Sequence, residues 1–367
     1  MTNLSKTILI SGARAPIALE MARSFHKAGH RVIMIDCLHL TIARWSNCVS
    51  TYYVIPSPRF DNLGFVAKIQ EIIRVEQVDH FIPTCEEAIF VAEHLESFLC
   101  KVWTADHKLI LELHNKLRFA QFNHSGFPIP TTFLIREFMD WDNSDKYVFK
   151  PVYSRFASSV IIRKQLSNNF FKDTDKNHWI AQDFITGKEI CIYSIWNEGR
   201  LKAYSAYHPL YRAGKGAGIF FEPIKNDLVF EYVKTIGSQI KYTGQLCFDV
   251  IIDVNETPYF IECNPRGTSG AHLINTQLAE AFLGTNTYVG HNNQEFSIKY
   301  VMFFLHFIPF FKKRVWKSKD IIFQWNDLKP FIFQILSLIE ITYIKFTKRV
   351  SWLEATTFNI EWNENKN

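Results

Sequence analysis

Apolar and polar positions alternate along the chain with two different periods, and the switches between them outline the elements. The run 7–11 (TILIS), a glycine turn at 12–16, an apolar face of helical period over 17–28 closed by Gly29, and the run 30–36 (HRVIMID) predict strand, helix and strand. Residues 78–84 (VDHFIPT) predict another strand, followed by Cys85-Glu86-Glu87 at a helix start, where carboxylates suit the helix dipole. A charged helical pattern from Asp106 stops at Gly126 and leads into Pro128 and Pro130, which marks a domain boundary. Beyond it, 146–151 (KYVFKP) and 179–185 (WIAQDFI) predict strands, 203–221 two strands around a glycine-bearing connection, and 228–242 an amphipathic helix. The runs 246–252 and 258–263 flank the polar segment 253–257, the pattern of an antiparallel hairpin. Two later stretches, 298–311 and 331–346, are strongly apolar and aromatic, but His306, Pro309, Glu340 and Lys345 interrupt them. They predict helices packed on the rest of the protein. Basic residues flank these aromatic ones, with Lys312-Lys313-Arg314 between the stretches, so a peripheral membrane contact is the alternative reading.

Composition narrows the class. With 367 residues, 47 % hydrophobic and 21 % charged, the chain can form two or three domains with substantial cores, and disorder is not indicated. Its 41 basic and 36 acidic residues are spread without a long basic block, which favours small anions over a nucleic-acid surface. Seven cysteines, at 37, 48, 85, 100, 191, 247 and 263, are odd in number and lack metal-type spacing, so they are expected to be reduced core residues. The polar segment 1–6 runs straight into a strand, with no visible signal peptide, and a cytoplasmic location is expected. No apolar run reaches the ~18–20 uncharged residues that span a bilayer.

The hairpin carries the candidate chemistry. A turn centred on Asn255–Glu256 sets Asp249 opposite Glu262, and Asn264, two residues on, shares the face of Glu262. Two carboxylates held that close require a shared proton or a divalent cation, and all-oxygen ligands suit Mg²⁺ or Mn²⁺ beside nucleotide phosphates. Arg266 could grip an anionic oxygen by a bidentate contact. The competing reading is an edge hairpin whose acidic residues face water. Lys150 lies on a strand that reads as buried and would need an anion; Arg212 and Lys215 beside Gly214, Gly216 and Gly218 would let backbone and charge approach a phosphate. The first βαβ unit is Rossmann-like but holds only Gly12 of the dinucleotide fingerprint, although Asp36 ends the second strand.

The residues Phe248-Asp249 and Tyr259-Phe260-Ile261-Glu262-Cys263-Asn264-Pro265-Arg266 resemble the metal-binding end of the ATP-grasp superfamily, of the carboxylate–amine ligase type. That family's pattern is an acidic residue or Gln on one strand and E-x-N-P-R on the next. The resemblance implies Asp249, Glu262 and Asn264 as magnesium ligands and Arg266 as a contact to phosphate or substrate carboxylate. It implies that Lys116, after His114-Asn115, and Lys150 reach the nucleotide phosphates. The loop Tyr153-Ser154-Arg155-Phe156-Ala157-Ser158-Ser159 takes the place of a glycine-rich phosphate lid; lacking glycine, it would use Ser158, Ser159 and Arg155. Backbone beside Gln182, Phe184 and Ile185 would meet adenine, Glu189 the ribose hydroxyls, and Glu86-Glu87 the substrate. Family order holds from about residue 5 to 272.

The expected fold is therefore α/β and α+β: a Rossmann-like N-terminal (pre-ATP-grasp) domain over 1–105, a two-lobed ATP-grasp domain with its small lobe over 106–185 and its large lobe over 186–290, and a C-terminal helical, aromatic extension over 291–367. The expected activity is an ADP-forming ligase using ATP and Mg²⁺ (or Mn²⁺). It would activate a small-molecule carboxylate as an acylphosphate for capture by an amine or thiol, with no nucleic-acid partner. Two alternatives stand beside it: a nucleotide-dependent oxidoreductase resting on 7–36, and a non-catalytic ATP-binding regulatory protein.

Overall fold

A computed structural model describes residues 5–122, 126–153, 159–172, 174–214, 216–289 and 293–362. Strands β1 (Thr7–Ser11), β2 (Arg31–Asp36), β3 (Thr51–Val54), β4 (His80–Ile82) and β5 (Lys101–Val102) form a parallel sheet in the order β3-β2-β1-β4-β5. Their apolar runs are nearly continuous because helices cover both faces. Ile8 and Ile10 pack with Ile17, Met21 and Phe25 of α1 (Pro16–Lys27), whereas Leu9 packs with Phe65, Ile69 and Ile72 of α2 (Asn62–Glu76). After β4 come α3 (Glu87–Glu93), α4 (His107–His114) and α5 (Lys116–Gln121).

The single helix expected from Asp106 is thus two. Asn115 leaves helical conformation at ψ 113°, and its side chain accepts hydrogen bonds from the N–H groups of Leu117 and Arg118, which caps α5. The break places Lys116 at the first residue of the new helix.

A second, antiparallel sheet orders β6 (Thr132–Leu134), β7 (Tyr147–Pro151), β8 (Ile161–Ile162) and β9 (Trp179–Asp183) as β6-β9-β7-β8, with Phe138, Phe149 and Phe171 in its own small core. The third sheet is the largest. It contains β10 (Gly187–Asn197), β11 (Arg200–Ala213), β12 (Ala217–Pro223), β13 (Gly244–Asp253) and β14 (Pro258–Asn264), ordered β14-β13-β10-β11-β12, with β15 (Tyr288–Val289) parallel to β11. Helix α6 (Asp227–Gln239) buries Val229, Val233 and Ile236 in the same core as Ile192, Phe248 and the α2 residues. On the other face, Tyr193 and Ile195 join α7 (Ala271–Ile274), α8 (Leu278–Leu283) and α1. The two cores run from the first sheet into the third.

The C-terminal segment is not helices alone. β16 (Phe296–Ser297) and β17 (Lys319–Asp320) extend the large sheet beyond β12, bracketing α9 (Lys299–Leu305), α10 (Phe307–Phe310) and α11 (Lys313–Lys317). α12 (Lys329–Lys348) and α13 (Trp352–Thr357) follow. α12 is long and apolar enough, by length and composition, to cross a membrane. In the fold it lies against the N-terminal sheet region: Glu340 accepts from the N–H groups of His39 and Leu40 at 2.9 and 2.6 Å, and Ser337 Oγ donates to the Leu40 carbonyl. All seven cysteines are free, but only Cys247 and Cys263 are buried; the other five are partly exposed, which corrects their assignment to the core.

The link between chain ends is ionic. Arg23 on α1 donates to Asp327 at 2.8 Å and to the carbonyls of Ile321 and Ile322, while Asp327 also accepts from Ser46 Oγ and the Asn47 N–H. Both charges are buried. Asp327→Ala should lower unfolding stability by about 3–5 kcal/mol, because Arg23 would remain buried without its counter-charge. Urea denaturation checks this, and a loss below about 1 kcal/mol would show that the pair is dispensable.

Candidate functional site

Asp249 and Glu262 are direct cross-strand partners, and a bulge follows Asp249. Asn264 Nδ2 lies 3.3 Å from Asp249 Oδ2 and 3.5 Å from Glu262 Oε1, so its amide bridges the two carboxylates. From α5, Lys116 Nζ comes within 3.5 Å of Glu262 Oε2; from β7, Lys150 Nζ lies 3.4 Å from the Ile261 carbonyl. Both lysines are 5 % exposed. The hairpin therefore does not simply face water, although β14 is the sheet's edge strand: the small lobe and α5 lie over its acidic end, and the Phe260 N–H donates to Pro128 O at 2.9 Å.

Burial and the neighbouring Glu262 push the Asp249 carboxyl well above the usual carboxylate range. Burial also disfavours the charged form of Glu262, but the two lysines outweigh it and hold that carboxyl below its usual value. Burial pulls the Lys150 ammonium down to about 8, against the attraction of Glu262, with Lys116 adding repulsion.

Arg266 leaves β14 two residues after Asn264. Its Nη2 donates to Asn264 Oδ1 at 3.2 Å, and its Nε lies 3.9 Å from Glu86 Oε1. The two acidic residues after β4 divide their work. Glu87 accepts from Ser11 Oγ at 2.6 Å and from the N–H groups of Thr84 and Cys85, pinning β1 to the end of β4, whereas Glu86 faces Arg266.

Glu86 has a further partner that sequence reading missed, the N–H of Trp362 at 3.3 Å. The Trp362 ring packs edge-on against Tyr153, at 5.1 Å, and Tyr153 stacks on His114. No sequence pattern links these residues.

Glu189 and Arg212, expected at separate parts of a nucleotide, are paired with each other at 2.5 Å, and Arg212 also donates to the Gly216 carbonyl. Both Arg212 and Gly218 sit on paired strands rather than in a loop. Cys191, next to Asp249 across β10 and β13, joins Glu189 and Asp249 in a cluster whose polar atoms all lie within 4.8 Å of one another. Gln182 is buried, its Nε2 donating to Thr132 Oγ1 at 3.0 Å. Phe184 and Ile185 lie in the link from β9 to β10, where the Phe184 N–H donates to Lys146 O and Arg163 covers the Phe184 ring. Ser159 is exposed; Ser158, Arg155 and Lys215 lie outside the described residues.

The first βα turn is closed to a dinucleotide. Asp36 is held by the buried Arg14 guanidinium, which also donates to the Thr356 carbonyl. Gly12, at φ +75°, has Thr84 Oγ1 2.4 Å from where a Cβ would stand, and the space beside it is about 10 Å³, bordered by Ile360. A cofactor crevice needs on the order of 300 Å³ or more.

Residues 113–270 match the family model described as ATP-grasp domain, a span that contains Lys116, Lys150, Asp249, Glu262, Asn264 and Arg266. The chain contains an ATP-grasp domain. No curated protein sequence matches it. Among solved structures, N5-carboxyaminoimidazole ribonucleotide synthetase from Thermus thermophilus superposes with TM-score 0.61 at 15 % identity, covering 78 % of this chain and 81 % of that one. The biotin carboxylase domain dimer of the Hydrogenobacter thermophilus 2-oxoglutarate carboxylase, in complex with MgADP, ADP and bicarbonate, gives 0.59 at 14 %, covering 77 % and 70 %. The L-amino acid ligase of Bacillus licheniformis gives 0.56 at 16 %, covering 78 % and 76 %. Likeness at such identities concerns the fold, which is the Rossmann-like lobe followed by the two-lobed ATP-grasp arrangement.

Within the ATP-grasp domain, Lys150 is costly to the folded state. Its lowered proton affinity means that the charged form is disfavoured by folding at pH 7, and that this penalty is relieved as pH rises from about 8 toward 10.5. Lys150→Met is accordingly expected to leave the melting temperature equal or higher while weakening ADP binding by roughly tenfold or more. Calorimetric titration and thermal melting of the same variant check both; unchanged ADP affinity would remove Lys150 from the nucleotide site.

Proposed function

We propose that this chain is an ATP-dependent, ADP-forming ligase that activates a small carboxylate as an acylphosphate for capture by an amine or thiol. The observation that supports it most is the convergence of Lys116 and Lys150 on the Asp249–Glu262–Asn264 face. Cations suited to phosphate and oxygens suited to a divalent cation come together at one place.

The donor set fits Mg²⁺ (or Mn²⁺): it is all oxygen once the Asn264 amide turns, and an amide N–H₂ now lies between the two carboxylates, where positive charge is wanted. When bound, the metal would neutralise phosphate charge. Lys116 would exchange Glu262 for a phosphate oxygen, and Lys150 would reach the same polyphosphate from β7. Freed from Glu189, Arg212 would be available to the transferring γ-phosphoryl group, while Glu189 would turn to the ribose hydroxyls. Arg266 would orient the attacking carboxylate by two parallel hydrogen bonds. That carboxylate oxygen forms a bond to the γ-phosphorus as the bond to the ADP oxygen breaks; the amine then attacks the acyl carbon and phosphate leaves. Positioning and electrostatics supply the rate, and no residue becomes covalently modified.

Incubation with Mg-ATP and pooled carboxylic acids and amines should release ADP and phosphate, and AMP with pyrophosphate would sink the assignment. Nucleotide binding without substrate-dependent turnover would favour the regulatory reading. Glu262→Gln should reduce ligation by roughly 10³-fold with the fold retained, at some loss of melting temperature because the buried Lys116 loses its counter-charge. Arg266→Lys separates two roles, substrate grip and the Glu86 ion pair. Turnover is expected to fall on the order of 10²-fold with ATP affinity within a few-fold. A fall in melting temperature with normal turnover would instead assign Arg266 to the ion pair.

A further inference from the structure

We propose that the surface formed by α9, α10, α11 and the outer face of α12 docks on a lipid bilayer with anionic headgroups. Phe303, Phe304, Leu305, Phe307, Ile308 and Phe311 are exposed on α9, α10 and the residue after them, Ile308 at 81 %. Ring contacts from Phe303 to Phe304 and Phe307, and from Phe307 to Phe311, at 5.0–5.4 Å, make them one continuous surface. On α12, Ile332, Ile335, Ile339, Tyr343 and Phe346 are exposed at spacings of three and four residues, a stripe along one side of the helix. A groove of about 480 Å³, lined by Tyr300, Phe303, Phe304 and Phe310 on one side and Phe323 and Phe331 on the other, joins the two surfaces. Exposed apolar area of this extent marks an interaction site.

Charge selects the occupant. Residues 298–319 contain six lysines and arginines and no aspartate or glutamate. Arg314 is paired with Glu222 and Glu295, while Lys312, Lys313 and Lys317 are exposed beside the exposed Trp316. The one carboxylate of α12, Glu340, is turned toward the backbone of His39 and Leu40, and the helix ends in Lys345, Lys348 and Arg349. A symmetric contact between two copies would bring cation against cation. An anionic bilayer instead offers acceptors to the lysines and an apolar layer to the aromatic rings, with Trp316 and Tyr343 suited to the headgroup level. The chain lies on the membrane and does not cross it, because Glu340 and Ser337 hold α12 to the body of the protein. The docking face also touches the ATP-grasp domain: His306 Nε2 lies 2.7 Å from the Arg212 carbonyl oxygen.

The test is co-sedimentation of the full chain with vesicles of phosphatidylcholine alone or enriched in phosphatidylserine, together with light scattering of the free protein. Binding should be roughly tenfold or more stronger to the phosphatidylserine vesicles and should fall as salt is raised. Ile308→Glu, and separately Lys312→Glu with Lys313→Glu, should each reduce it about tenfold with unchanged melting temperature, since all three side chains are exposed. Absence of binding to both vesicle types, or binding indifferent to these substitutions, overturns the proposal. So does a stable oligomer that Ile308→Glu dissociates, which would assign the surface to a second copy of the chain.

Discussion

The site depends on how two half-buried carboxylates and two buried lysines are kept close together. Asp249 and Glu262 are fixed opposite each other by strand pairing, so neither can move away from the other's charge. Lys116 and Lys150 arrive from different elements, one at the start of α5 and one on β7. The lysines keep Glu262 ionised, whereas Asp249, flanked by Glu262, is driven toward its neutral form. An arrangement of this kind is worth little as a source of stability, because desolvating four ionisable groups costs about as much as their attraction returns. Such an electrostatic environment would suit ligands that bring both signs of charge.

The surrounding architecture holds these four groups at the junction of separate sheets. The large sheet packs against the N-terminal lobe through both of its faces, which makes those two sheets a single base. The small sheet has its own core around Phe149 and carries Lys150 above that base. A lysine on the smaller unit and carboxylates on the larger one bring the two units together at this point.

Much of this was legible in the chain. The hairpin was legible from a short polar segment between two apolar runs, but its register was not: a turn centred on Asn255–Glu256 would set Ile252 opposite Tyr259, whereas Ile252 pairs with Pro258, and Asp249 meets Glu262 because a bulge follows Asp249. Lys150 stood out because a lysine in an apolar strand requires an explanation. The break at Asn115 was hidden, because a residue that caps a helix also passes as part of one. The Glu189–Arg212 pair and the approach of Cys191 to Asp249 depend on which strands become neighbours in the large sheet, and local pattern does not encode that. β16 and β17 were missed for a related reason: two residues pairing at an edge leave no periodicity to read. The Trp362 contact with Glu86 spans 276 positions and has no local signature.

That same reach between distant parts of the chain bears on how the molecule can be divided. Arg23 meets Asp327 across 304 positions, and Ile321 and Ile322 complete a core begun by Ile8 and Ile10. The N-terminal lobe looks like a module on paper, yet its α1 face is finished by residues from the far end. Cutting the gene after the first sheet would therefore yield a fragment with an open hydrophobic side and a stranded buried arginine. Closing so many long loops also raises contact order, so the chain should assemble more slowly than its helix content suggests.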